Sequence, residues 1–154
     1  MNTKIVLFGG TFDPVHNGHL IAARSLAEAR SLQSITLVPT ANPPHKNPAN
    51  ADGAHRLAML KLVAGEGELF SVCDIEMNRT GPSYTIDTVR QVQELNPNCD
   101  IAIIIGADML RELPEWHKCD ELMDAADFIV AARPPAEKSL ARALEEISSR
   151  ISPS

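Results

Sequence analysis

The sequence predicts an α/β fold: a doubly wound, parallel, five-stranded sheet with helices on both faces. Three observations carry this. Five short apolar runs of strand length alternate with segments whose apolar residues recur at helical spacing. The first run passes directly through a glycine pair into a helical segment. Glycine and proline signals punctuate the elements. Strands that alternate with helices pair in parallel, and the helices cover both faces.

The elements follow in order. Lys4–Phe8 reads as a buried strand, and Gly9-Gly10 as the turn that ends it. Asn17–Ala29 is a helix with apolar positions Leu20, Ala23, Leu26 and Ala27. Ser34–Val38 is a second strand, closed by Pro39. Thr40–Asp52 is a loop stiffened by Pro43, Pro44 and Pro48, and Asp52 is placed to cap a helix over Gly53–Ala64. Phe70–Ile75 reads as a third strand. Gly81-Pro82 marks a turn before a helix over Tyr84–Leu95, which Asn96-Pro97 ends. Asp100–Ile105 is the most apolar strand and runs into Gly106; Ala125–Ala131 is the fifth strand and Lys138–Ser149 the last helix.

A chain of 154 residues fits one domain, spanning 1–154, with a core large enough to fold alone. With 44% hydrophobic and 22% charged residues, its composition is that of a soluble globular protein. No apolar run approaches a bilayer-spanning length, and no basic–apolar leader opens the chain, so no membrane contact and a cytoplasmic location are expected. Cys73, Cys99 and Cys119 are odd in number and far apart, which signals neither a disulfide framework nor a zinc site. A net charge of −6 argues against nucleic acid as a partner. Residues 1–56 nevertheless carry five Lys/Arg against three Asp/Glu, so the positive part coincides with the glycine turn and suits a local anion pocket.

That turn is the most informative segment: Gly9-Gly10-Thr11-Phe12-Asp13-Pro14-Val15-His16-Asn17-Gly18-His19. Glycines let the backbone approach an anion, and the new helix aims free N–H groups and its positive dipole end at it. His16 and His19 are three apart and share one face of the first turn. In an open parallel sheet, ligands bind beyond the carboxyl ends of the strands. Gly9, the segment Pro39–Lys46, Gly106–Asp108 and Arg133 all fall there. His45 and Lys46 form a basic pair suited to a phosphate; Asp108 suits ribose hydroxyls or a helix N-terminus. Ser83 and Thr85 suit a helix cap, and the lone Trp116 suits core packing.

Residues 9–19 resemble the signature of the nucleotidylyltransferase superfamily, G-(T/S)-F-D-P-x-H-x-G-H. About eight fixed positions make it far more specific than a lone G-x-G-x-x-G. Pro43-Pro44-His45-Lys46, Ser83-Tyr84-Thr85, Pro114-Glu115-Trp116-His117 and Arg133-Pro134 narrow the resemblance to nicotinate mononucleotide adenylyltransferase. The resemblance implies a Rossmann-like fold and adenylyl transfer from ATP to nicotinate mononucleotide, releasing pyrophosphate, a step of NAD biosynthesis. It implies catalytic roles for His16 and His19. It implies ATP binding by Gly9, Gly10, Thr11, Phe12, Gly18, Gly106, Asp108 and Arg133. It implies that His45, Lys46, Thr85, Trp116 and His117 bind the mononucleotide: Trp116 stacks on the pyridine ring, and the backbone N–H groups of Thr85 and His117 hold its carboxylate. Mg²⁺ is expected on the ATP phosphates, with no dedicated protein metal site.

The family's C-terminal isoleucine-serine-serine-threonine-x-isoleucine-arginine segment, which binds ATP phosphates, has no counterpart. Ile147-Ser148-Ser149-Arg150 lacks the threonine, and Pro153 blocks a helix, so a truncated C-terminus is expected. Two alternatives stay open. Phosphopantetheine adenylyltransferase, like the cytidylyltransferases, shares the first motif but not the others. A non-catalytic nucleotide-binding module would bind nucleotide without turnover.

Overall fold

The computed structural model describes residues 3–42, 51–65 and 67–131. The chain runs β1 (Thr3–Gly10), α1 (Asn17–Arg30), β2 (Ile35–Pro39), α2 (Gly53–Ala64), β3 (Phe70–Val72), α3 (Thr85–Leu95), β4 (Cys99–Gly106), α4 (Ala107–Leu110), a 3₁₀ turn (Leu113–Glu115), α5 (Cys119–Ala125) and β5 (Asp127–Ala131). The five strands form one parallel sheet in the order β3-β2-β1-β4-β5. The order reverses between β1 and β4, and that reversal makes the doubly wound form and opens a crevice at their carboxyl ends.

Strand alternation sorts the core into two layers. Ile101, Ile103 and Ile105 of β4 face a layer with Ile86, Val89 and Val92 of α3 and Leu122 of α5. Ala102 and Ile104 face the other, with Ala23 and Ala27 of α1 and Leu60 of α2. The continuous apolar run of β4 is what burial on both faces demands. Asp52 caps α2 as expected, its Oδ1 accepting from the His55 N–H at 2.8 Å.

Three details differ from the sequence reading, and a fourth element lies beyond the described residues. β3 stops at Val72, because the chain turns at Asp74 and Glu76, where Met77 and Arg79 donate back. Ser83 and Thr85 do not cap α3. Its N-cap is Tyr84, and the Ser83 hydroxyl instead accepts from the Asn42 N–H at 2.9 Å. Ala125 ends α5 rather than opening β5. That helix is legible only in the i, i+3 pair Cys119 and Leu122, both buried. The expected last helix, Lys138–Ser149, lies outside the described residues.

Candidate active site

The first motif builds the corner where β1 turns into α1. His16 is the N-cap of α1 and His19 stands in its first turn. The His16 N–H donates to Nδ1 of His19 at 3.2 Å. An accepting Nδ1 leaves the neutral ring's proton on Nε2, a donor fixed in direction. The two imidazoles stack with centroids 3.7 Å apart. Phe12, buried in the core, meets the His19 ring edge-on at 5.2 Å and locks it from behind. Phe12 adopts φ 49°, the left-handed region that side chains rarely enter. Its buried ring therefore supports His19, and any ATP contact at this position falls to its backbone. A Cβ on Gly18 would stand 2.8 Å from Cε1 of His16, so any side chain there displaces that ring.

Arg56 ties this corner to its surroundings, a role sequence reasoning missed. The residue is 2% exposed. Its Nη1 donates to the carbonyls of Thr11 at 2.8 Å and Thr40 at 2.6 Å, and its Nε to Ala51 at 3.2 Å. Thr40 in turn donates its N–H to Gly10 at 2.9 Å. One guanidinium thus joins the turn after β1, the chain after β2 and the approach to α2. The available signal is its phase: Arg56 sits one helical turn from buried Leu60.

A cavity opens beside this corner along the carboxyl edge of β1 and β4. Its lining includes Gly9, Gly10 and Thr11 and also Thr85, Trp116 and His117. Thr85 is the first residue of α3, so its N–H has no intrahelical acceptor. Trp116 packs partly on the core and still faces the cavity, which reconciles its two expected roles. His117 stacks on Tyr84 with centroids 4.1 Å apart. Asn42 braces the turn before α3: Ser83 donates its N–H to the Asn42 carbonyl, and Asn42 Nδ2 donates to the Gly81 carbonyl. Gly106 caps α4 at the end of β4, with open space where a Cβ would stand, and Asp108 follows in its first turn, exposed. His45, Lys46 and Arg133 lie outside the described residues.

Glu76 is the second residue the sequence reading missed. It lines the same cavity and is buried among Ser83, Thr88 and Arg79. Burial pushes its carboxyl up to about 7, against the lowering effect of the Thr88 and Ser83 hydroxyls and the Arg79 charge. Arg79 is held by Gln91 Oε1, the Tyr84 carbonyl and Thr88 Oγ1. The only signal in the sequence is a carboxylate between the apolar residues Ile75 and Met77.

The raised value has a consequence for stability. An unfolded glutamate releases its proton near 4.5, whereas folded Glu76 keeps it until about 7. Between those values the folded state binds the extra proton, so stability falls as pH rises through the window and levels off above it. The total is about 3 kcal/mol. Glu76→Gln, which stays neutral, is expected to raise the urea midpoint at pH 8 and to show a shrinking advantage toward pH 5. An advantage of equal size at both pH values contradicts this reading.

Among the described residues, no group of three His, Cys, Asp or Glu side chains gathers to hold a metal ion, and no helix is long and apolar enough to cross a membrane.

Comparison with known proteins places the geometry. The cytidylyltransferase-like family model matches residues 7–153. The chain is 46% identical over 132 residues to the nicotinate-nucleotide adenylyltransferase of Bacillus subtilis (strain 168), a match covering 85% of this chain and 70% of that protein. Its structure is similar to that of Plasmodium falciparum nicotinic acid mononucleotide adenylyltransferase complexed with NaAD, with TM-score 0.76, 20% identity, and 92% of this chain and 71% of that chain covered. The same parasite protein complexed with APC gives TM-score 0.73 at 19% identity, covering 92% and 70%. At these identities the two structures establish the shared Rossmann-like fold.

Proposed function

Because this chain belongs to the cytidylyltransferase-like family, and within it to the nicotinate-nucleotide adenylyltransferases, we propose that it transfers the adenylyl group of ATP to nicotinate mononucleotide in NAD biosynthesis. The observation that carries the reading is the single cavity joining the Gly9-Gly10-Thr11 turn to Thr85, Trp116 and His117. The turn suits a triphosphate, the other three residues an acidic pyridine.

The acceptor's phosphate oxygen attacks the α-phosphorus of ATP. A new O–P bond forms as the bond to the bridging oxygen breaks, and pyrophosphate leaves with the electron pair. The attacking phosphate is already anionic, so no base has to take a proton. What the reaction needs is alignment and donors aimed at the charge that develops. His19 offers Nε2–H in a fixed direction, His16 stacks beside it, and the N-terminus of α1 adds its dipole. Gly9, Gly10 and Thr11 border the phosphates, Gly18 makes room for the His16 ring beside them, and Phe12 supports His19 from behind. Gly106 and Asp108 serve the ribose, and Arg133 borders the nucleotide. His45 and Lys46 grip the acceptor phosphate, Trp116 stacks on the pyridine, and the N–H groups of Thr85 and His117 hold its carboxylate. Mg²⁺ would arrive on the triphosphate, with phosphate oxygens and water as its ligands, and would neutralise charge on the leaving group. We assign the enzyme to the cytoplasm, with no nucleic acid or membrane as partner.

Pyrophosphate release with ATP, Mg²⁺ and nicotinate mononucleotide tests the reading, run on residues 1–154 and on the full gene product. Release by the gene product with this acceptor, and not with phosphopantetheine or with CTP as donor, is the expected result. Nucleotide binding without pyrophosphate release in either protein would overturn it.

A further inference from the structure

Glu76 shares its cavity with the groups proposed to hold the acceptor's carboxylate, which raises a problem of charge. Thr85, whose N–H meets that carboxylate in the proposed function, is the first residue of α3. Thr88 lies three residues on, along the same face. The buried Glu76 carboxyl lies close to the hydroxyls of Thr88 and Ser83, which flank Thr85 in the chain. Glu76 is 7% exposed, and Arg79, the nearby cation, is committed to Gln91, Thr88 and the Tyr84 carbonyl. Two carboxylates confined to one desolvated site do not both ionise. A neutral carboxamide faces no such conflict, and its N–H groups can donate to an ionised Glu76.

We propose that Glu76 is a specificity-determining residue that reads the charge on the acceptor's pyridine ring: protonated it admits a carboxylate, and ionised it favours a carboxamide. The inference rests on the acceptor site described under the proposed function and adds a proton to it. Binding of the acidic mononucleotide above neutrality then draws one proton onto Glu76, and its affinity falls with pH while that of the amide does not. The other titratable side chains around the cavity are Arg79, Tyr84, Glu112 and His117.

Calorimetry on the full-length protein, with nicotinate and nicotinamide mononucleotide, decides the matter. The two ligands carry the same phosphate, so their difference isolates the pyridine substituent. Titration at pH 7 and 8.5, in phosphate and in Tris, counts protons through the buffers' different ionisation heats. The expected result is uptake of about one proton at pH 8.5 with the nicotinate compound alone, and a loss of its affinity of about tenfold over that interval. Glu76→Gln should abolish both effects while still binding the nicotinate compound. Equal proton uptake with both compounds overturns the inference even if no variant folds. Uptake that survives in Glu76→Gln and disappears in His117→Gln assigns the proton to His117 and overturns it too. Tight nicotinate binding without uptake leaves the acceptor reading standing and ends this one; no binding of either compound at any pH ends both.

Discussion

Replacing His19 by Ala is expected to lower kcat for pyrophosphate release by about 10²–10³-fold, the usual cost of one preorganised donor at a developing charge. The argument starts at a backbone contact. The His16 N–H donates to Nδ1 of His19 in the first turn of α1, so the neutral ring carries its proton on Nε2. Phe12 and His16 fix the ring from two sides, at 5.2 and 3.7 Å between centroids. Ground-state affinity depends on many phosphate contacts, so KM for ATP should move far less than kcat. The ring is only half-buried, so the melting temperature should change little. His19→Asn restores a donor and should recover part of the rate. A kcat for His19→Ala within threefold of the parent would remove His19 from the chemistry.

Arg56→Ala is expected to be strongly destabilising, at roughly 3 kcal/mol or more. The substitution strips the carbonyls of Thr11, Thr40 and Ala51 of a shared donor in a buried place. For a domain of this size that corresponds to a drop of about 6–12 °C in melting temperature. Arg56→Lys keeps the charge but not the planar fork, so it should recover only part of the loss. Calorimetric melting of the three proteins checks this. A drop under 2 °C for Arg56→Ala would mean that water replaces the guanidinium without cost.

The fold was legible where periodicity and punctuation agreed. β1, β2, β4 and the three long helices lie within two residues of the sequence reading, because each combines a clear apolar period with a Gly, Pro or Asp boundary. α5 was not legible, since seven residues offer too few turns to establish a period. The end of β3 was hidden because Cys73 and Ile75 stay partly buried against the core after the strand has turned away. Of the site, the glycine–histidine corner and the cavity residues Thr85, Trp116 and His117 could be picked from motifs. Arg56 and Glu76 could not. Their importance comes from being buried among polar partners that are distant in the chain, and no local spacing encodes that.

The position of β1 at the centre of the sheet has a consequence for how the chain comes to fold. β1 pairs with β2 on one edge and with β4 on the other, where Thr3 meets Cys99. Those partners are made about 95 residues apart, which at cellular elongation rates is roughly 5–20 s. Through that interval β1 can dock only β2 and the helices on one side, and its second edge, with Ile5 and Leu7 beside it, stays open. The nascent half-sheet is therefore a template for wrong pairing, and sequence-distant closure of a parallel sheet is intrinsically slow. The insertion of β4 closes that edge and, in the same event, creates the crevice where the cavity lies, before α5 and β5 complete the core.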